Sequence, residues 1–312
     1  MFDPMQLGSR AGAVAAAGVM GFSFAASPAF AQQETEGRGD IMIEGEAETI
    51  DPEVGAASSR ISGVVALDWN THFVSYGLDV WGVGQDFGED STFNPAAEVA
   101  IDFDYFTFFF GTWWDVNANA ASPIGAQLQE VDIYTGVSTS YENFSVALIY
   151  QSWLYGGGNE QIFDISLGYD DSWLWTDILD GFALNPSATF HKRLASTNIA
   201  QGGGSESENG WVAVFGIAPS YTVDLIEDYP ISLSAPLNFG VFLTENFHGG
   251  DTGLGYISFG LSASVPLSFI SAEYGAWEVH GGLTWYCTDP DIIPGNADQD
   301  FLTGSIGLSM SF

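Results

Sequence analysis

The chain has 312 residues, among them 40 Asp or Glu against 5 Lys or Arg and 4 His, for a formal net charge of −35. That balance excludes nucleic acid, polyanionic substrates and direct attraction to lipid phosphates. Aromatic residues make up 15% of the chain and charged residues only 14%, with 38 Gly; this is an all-β composition, and the single Cys287 leaves no internal disulfide to hold it.

Arg10 precedes an apolar, small-residue run from Ala11 to Ala26, followed by Ser27-Pro28-Ala29-Phe30-Ala31. This pattern predicts a secretory signal peptide over residues 1–31 with cleavage before Gln32. No later stretch approaches the roughly 18 to 20 unbroken apolar residues of a transmembrane helix. Residues 32–60 are acidic, poor in aromatics and without period, which predicts a flexible periplasmic extension. Arg38-Gly39-Asp40 within it is too short a match to carry meaning.

From Ile61 onward alternating segments recur. They predict strands near 62–72, 96–103, 105–115, 129–140, 144–154, 161–169, 184–192, 211–223, 231–243, 254–266, 275–286 and 301–312. In the tenth, Ile257, Phe259, Leu261, Ala263 and Val265 share one face while Ser258, Gly260, Ser262 and Ser264 share the other, because strand side chains point alternately to opposite sides. A soluble sandwich seldom needs strands of ten or more residues, whereas a bilayer demands about nine to eleven, tilted, with an apolar exterior. The expectation is therefore a closed antiparallel transmembrane β-barrel over residues 61–312 with about twelve strands, an even number as single-chain bacterial barrels show. Closure also leaves no unpaired edge where water is absent.

Connections sharpen this reading. Asp102–Asp104, Tyr141–Asn143 and Leu225–Pro230 are short turns, expected on the periplasmic side. The stretches 73–95, 116–128, 193–210 and 287–300 are long and polar, expected outside. A long inner connection at 170–183, with Trp173 and Trp175, breaks the alternation and leaves ten or fourteen strands open. Trp113, Trp114, Trp153, Tyr155, Trp211, Tyr221, Trp277, Trp285 and Tyr286 fall near predicted strand ends, where aromatic girdles meet lipid headgroups.

The chain ends on Ser305-Ile306-Gly307-Leu308-Ser309-Met310-Ser311-Phe312. Gly307, Met310 and the terminal Phe312 resemble the C-terminal signal of bacterial outer-membrane barrels, which implies recognition of this strand by the barrel-assembly machinery and lodging in outer-membrane lipid. The Gram-negative outer membrane is the expected location.

Candidate chemistry is thin. His72, His191, His248 and His280 sit in no nucleophile elbow and no H-E-x-x-H run. A lipase-like role for His191 or His280 is the only enzymatic reading available, and no catalytic residue, metal or cofactor is assigned. The acidic loops around Asp86, Glu89 and Asp90 and around Asp289, Asp291, Asp298 and Asp300 lack the spacing of a calcium loop. The predicted inward face does gather Asp68, Glu98, Asp132, Asp164, Glu278 and His280 against few basic groups, and rings of carboxylates make a pore prefer cations. If the acidity instead reflects a saline habitat, screening lengths near 3 Å at 1 M salt confine any preference to a narrow constriction.

The stretch Ser62-Gly63-Val64-Val65-Ala66-Leu67-Asp68-Trp69-Asn70-Thr71-His72-Phe73-Val74-Ser75-Tyr76-Gly77, together with Tyr274-Gly275-Ala276-Trp277-Glu278-Val279-His280-Gly281-Gly282-Leu283, resembles the opening and penultimate strands of the TorF-like porin family. Tyr76-Gly77 stands where that family usually has Arg-Gly. The resemblance implies outer-membrane location and passive transport, and it assigns no site residue. The functional expectation is a passive diffusion channel for small polar solutes or cations; a plugged barrel with a structural or surface-interaction role is the alternative, and an outer-membrane hydrolase comes third.

Overall fold

The computed structural model describes residues 60–312 apart from 83, 85, 86, 89, 90, 118–126, 156, 157, 198–209 and 224–228. The leader, the extension as far as residue 59 and the acidic trio Asp86, Glu89 and Asp90 lie outside the described residues. From Ile61 onward nearly every segment that alternates becomes a strand. In chain order these are β1 (Ile61–Asn70), β2 (Thr92–Asp102), β3 (Thr107–Asn117), β4 (Leu128–Tyr141), β5 (Phe144–Tyr155) and β6 (Gly158–Tyr169). There follow β7 (Ser187–Thr197), β8 in two pieces (Trp211–Ile217 and Ser220–Val223), β9 in two pieces (Ile231–Ser234 and Leu237–Phe242), β10 (Gly253–Pro266), β11 (Ala276–Thr288) and β12 (Asp300–Ser311).

Each strand pairs antiparallel with its sequence neighbours, and β1 pairs with β12, setting Val64 opposite Ser311 and Asn70 opposite Ser305. The twelve strands thus close into one barrel, which excludes the ten- and fourteen-strand counts. The long 170–183 connection adds no spanning strand: it carries a short helical turn at Ser172–Leu174 and then Phe182–Ala183, which pair with Tyr221 and Ser220 as an extension below β7.

The two broken strands have a common cause. Pro219 and Pro236 have no N–H to donate, so the ladder lapses at Ala218-Pro219 in β8 and Ala235-Pro236 in β9. Their carbonyls still accept from the Ala235 and Gly260 N–H groups, so the wall stays closed there.

Alternation decides the faces. Along β3, Thr107, Phe109, Trp113 and Asp115 are buried inside while Phe108, Phe110 and Trp114 stand out from the wall. Leu67, Trp69, Val99, Ile133, Leu148, Phe259, Leu283 and Ile306 continue this exposed apolar exterior around the ring. Four residues assigned to girdles by their place near strand ends do not belong there. Trp113, Trp153, Tyr155 and Tyr286 face inward, since parity along the strand sets direction whatever the height. Trp114 and Trp285 do point outward, as does Phe312, whose ring lies over Gly63.

Inside, rings lie flat against the wall where a glycine faces them. Tyr134 covers Gly111 and Phe109 covers Gly136, so closely that a Cβ on either glycine would collide with the ring. With Ala100, Ala147 and Ile149 they form one apolar patch of the interior.

Candidate functional site

The six inward residues expected from sequence all project into the barrel and are buried, from Asp164 at 0% to His280 at 6% exposure. They do not form one ring. Five of them fall into two groups, according to which strands carry them, while Glu98 of β2 lies opposite Val64 of β1 and Gly111 of β3.

On the seam, His280 of β11 places Nε2 2.7 Å from Asp68 Oδ1 of β1, and its Nδ1 lies 3.9 Å from Glu278. Gly307 of β12 passes between β11 and β1, and its missing side chain makes room for this pair: a Cβ there would strike both Asp68 and His280. A small polar cavity of about 20 Å³ sits nearby, lined by Asn70, His72, Thr284, Thr303 and Ser305, room for about one water.

On the opposite wall, Asp164 of β6 accepts from Gln151 Nε2 at 2.6 Å through one carboxylate oxygen, and its other oxygen lies 2.6 Å from His191 Nδ1. The indole of Trp153 donates to Gln151 Oε1 at 3.0 Å. One turn of the register along, Arg193 of β7 pairs with Glu160 of β6. Asp132 of β4 lies in line with Trp113 and Trp153 on the neighbouring strands. Neither of its carboxylate oxygens has a hydrogen-bond donor, and Glu130, two residues back on the same face, is within hydrogen-bonding range of it. A proton on one of that pair satisfies both.

What joins the two walls is the connection after β1. Val74–Ser75 and Leu78–Asp79 pair as a tight hairpin with Tyr76 and Gly77 at its tip, both at positive φ (46° and 80°). Gly suits that geometry at no steric cost, whereas a tyrosine adopts it only when its surroundings hold it. They do. The Tyr76 hydroxyl meets His191 Nδ1, and the ring stacks 6.4 Å from Trp153 and edges onto Phe247 at 5.9 Å. In a twelve-strand ring β7 is six strands from β1 in either direction, so this hairpin crosses the full width of the lumen.

The hairpin is held from two other loops. Asn296, between β11 and β12, accepts from the Asp79 N–H at 2.9 Å and donates to the Gly77 carbonyl at 2.8 Å. His72 Nδ1 lies 2.9 Å from Asp79, whose carboxylate also accepts from the N–H groups of Gly82 and Gly84. From the connection between β9 and β10, the Phe247 carbonyl accepts from Arg193 at 3.0 Å and the Phe247 ring sits 4.0 Å from the guanidinium. Burial pushes His248 down to about 3, with the Arg193 charge adding to it and hydrogen bonds to the backbone of Ser75 and Tyr76 acting the other way. Burial likewise holds the Tyr76 hydroxyl well above its ordinary value, followed by the charge of Asp164.

The sequence reading gave no lumen role to Tyr76, which it noted only beside Gly77, nor to Arg193, Glu160, Glu130 or Asn296. Tyr76 and Asn296 sit in loops with no periodic signal, and Arg193 was placed in a loop because the strand runs on to Thr197. The even spacing of His191 and Arg193 is the sequence signal that could have put both on one face once the strand is carried on to Thr197. Among the described residues, His72, His191 and His280 lie against the carboxylates of Asp79, Asp164 and Asp68, and His191 and His248 also meet a phenol or aromatic rings. Among the described residues no three His, Cys, Asp or Glu side chains converge with metal-holding geometry.

No family model matches the chain, and no curated protein matches it; the resemblance to TorF-like porins has no family model behind it. Among solved structures the chain is similar to the COG4313 outer membrane channel from Pseudomonas putida F1, at 8% identity and TM-score 0.44, covering 85% of this chain and 100% of that one. LpxR from Salmonella typhimurium (10%, TM-score 0.42, 79% and 99%) and the NanC porin (7%, TM-score 0.41, 80% and 98%) are similar to the same degree. Likenesses this distant transfer no activity to the chain, and its reading rests on its own barrel and loops.

Proposed function

We propose that the protein is an outer-membrane β-barrel of porin type whose acidic lumen is closed, in this conformation, by its own first hairpin. The observation that carries the proposal is the crossing of Tyr76 from β1 to His191 on the facing strand. A continuous apolar exterior and a polar interior support the membrane and channel parts. Export would use the leader ending at residue 31, and the exposed Phe312 with Gly307 and Met310 would present β12 to the assembly machinery.

Passage is passive and needs the hairpin to swing aside. A small cation or polar solute would then meet Asp132, Asp164, Glu98 and the Asp68–His280–Glu278 group, with Arg193 already engaged by Glu160. Carboxylates in such a constriction favour cations. The second reading, a permanently plugged barrel with a structural role, is favoured by one feature: Asn296 ties the hairpin to a second loop through both its amide groups. Planar-bilayer recording decides between them. Rare, cation-preferring openings that become frequent once Tyr76 is truncated support the gated channel. Silence from correctly folded wild type and variant alike supports the plug.

A further inference from the structure

Outside the barrel, six residues stand side by side on successive strands. Phe182 is opposite Tyr221 of β8, Tyr221 opposite Leu233 of β9, Leu233 opposite Ala263 of β10, Ala263 opposite Gly281 of β11, and Gly281 opposite Ile306 of β12. Large side chains occupy the ends of this row and the two smallest occupy its middle. The rows above and below are large again, with Leu261 opposite Leu283 and Val265 opposite Val279. The outcome is a lateral groove of about 790 Å³ whose floor is Ala263 and Gly281 and whose banks are Leu, Val and Ile. Pro219, at the break in β8, and Ala235, at the break in β9, line one end of it.

We infer that this groove holds an acyl chain of a phospholipid from the leaflet on the short-turn side of the membrane. The inference rests on the membrane reading above. The groove is continuous with the apolar exterior, so the medium that would fill it is hydrocarbon. At about 4.8 Å between strands, the four steps from β8 to β12 make it about 19 Å long, a slot suited to an extended chain. Its volume lies within the roughly 300–1,000 Å³ of small-molecule sites.

Charge selects the lipid. Among the described residues the cationic side chains Arg60, Lys192 and Arg193 are absent from the groove lining, and Arg193 points into the barrel. A heavily phosphorylated glycolipid would find no partner there. The groove also lies in the half of the strands nearer the short turns, since Ala263 is near the Pro266 end of β10 and Val279 near the Ala276 start of β11. That half faces the phospholipid leaflet of an outer membrane.

The test is native mass spectrometry of the full chain, folded into vesicles of palmitoyl-oleoyl phosphatidylethanolamine and released into a mild detergent. Wild type should retain one phospholipid. Ala263→Phe fills the floor, and retention should fall roughly tenfold, as for loss of about 1.4 kcal/mol of packing; Val279→Trp, on a bank, should do the same if the first variant folds poorly. Ala97→Phe, on the exterior of β2, should keep the wild-type level. Equal retention in all proteins overturns the groove while leaving the barrel in the membrane. So does a dimer that Ala263→Phe abolishes, which would assign the groove to a second copy. Failure of the chain to fold into vesicles at all overturns the membrane reading and the groove with it.

Discussion

Truncating Tyr76 to Ala removes the only side chain of the first hairpin that reaches β7 through a hydrogen bond shown here, and it does so without touching a barrel strand. The ring is 1% exposed and packs against Trp153, His191 and Phe247. Deleting a buried aromatic of this kind costs about 3–5 kcal/mol, and here the cost falls on the closed position of the hairpin. The closed-to-open ratio should drop by roughly 10² to 10⁴, at about 1.4 kcal/mol per decade. Tyr76→Phe keeps the ring and loses only the hydroxyl contact with His191, worth about 0.5–1.5 kcal/mol, so it should fall between wild type and Ala. The assay is open probability in planar bilayers, with heat-modifiable gel mobility confirming that each barrel is folded. A Tyr76→Ala protein that is folded and conducts no more often than wild type refutes the reasoning.

Closure should also depend on pH through His248. Its value in the closed state is about 3 against about 6.5 when released, so between those limits the open loop binds the proton and the closed loop does not. Closure is therefore complete above about pH 6.5 and weakens as pH falls towards 3; Arg193 and His191, which face it from β7, push the same way. Open probability should rise on acidification, and His248→Gln should flatten that rise. Gly307→Ala should displace the Asp68–His280 pair and cost about 1–3 kcal/mol, read as a lower urea midpoint in detergent. Placing it on an Asp68→Ala background should shrink the loss to less than half. Asp132→Asn gives Glu130 a permanent donor that needs no bound proton, so at neutral pH it should stabilise the barrel by about 1–3 kcal/mol, read as a higher urea midpoint, whereas a lower midpoint would contradict the shared-proton arrangement.

The barrel was legible because its signal is local. Period-two alternation along β10 or β12 sets which side chains point out of the barrel, and nothing elsewhere in the chain has to be known. The inward direction of Asp68, Glu98, Asp132, Asp164, Glu278 and His280 followed from the same parity. The girdle assignment failed for Trp113 and Trp153 because height along a strand was used where parity governs. Strand ends blurred for a related reason: Pro95 sits inside β2 opposite Leu67 of β1, although a proline reads as a boundary.

The crossing was illegible because it depends on distance across the ring. Tyr76 and His191 are 115 residues apart, and only closure with twelve strands makes β1 and β7 face each other. A ten- or fourteen-strand barrel would have offered the hairpin a different wall. Gly307 was marked for its likeness to a C-terminal signal, whereas the structure shows it as the gap that admits Asp68 and His280.

The central claim is a barrel with hydrocarbon outside and polar groups within, and a spin-label scan along β10 tests it most directly. Single Cys substitutions from Tyr256 to Val265 in Cys287→Ser protein, folded into lipid vesicles, would be labelled and probed with oxygen and with a water-soluble nickel chelate. The account predicts a period of two: oxygen accessibility high at 257, 259, 261, 263 and 265 and low at 256, 258, 260, 262 and 264, with the chelate excluded from the outward set. Loss of that period, or chelate access at 257, 259 and 261, would contradict it.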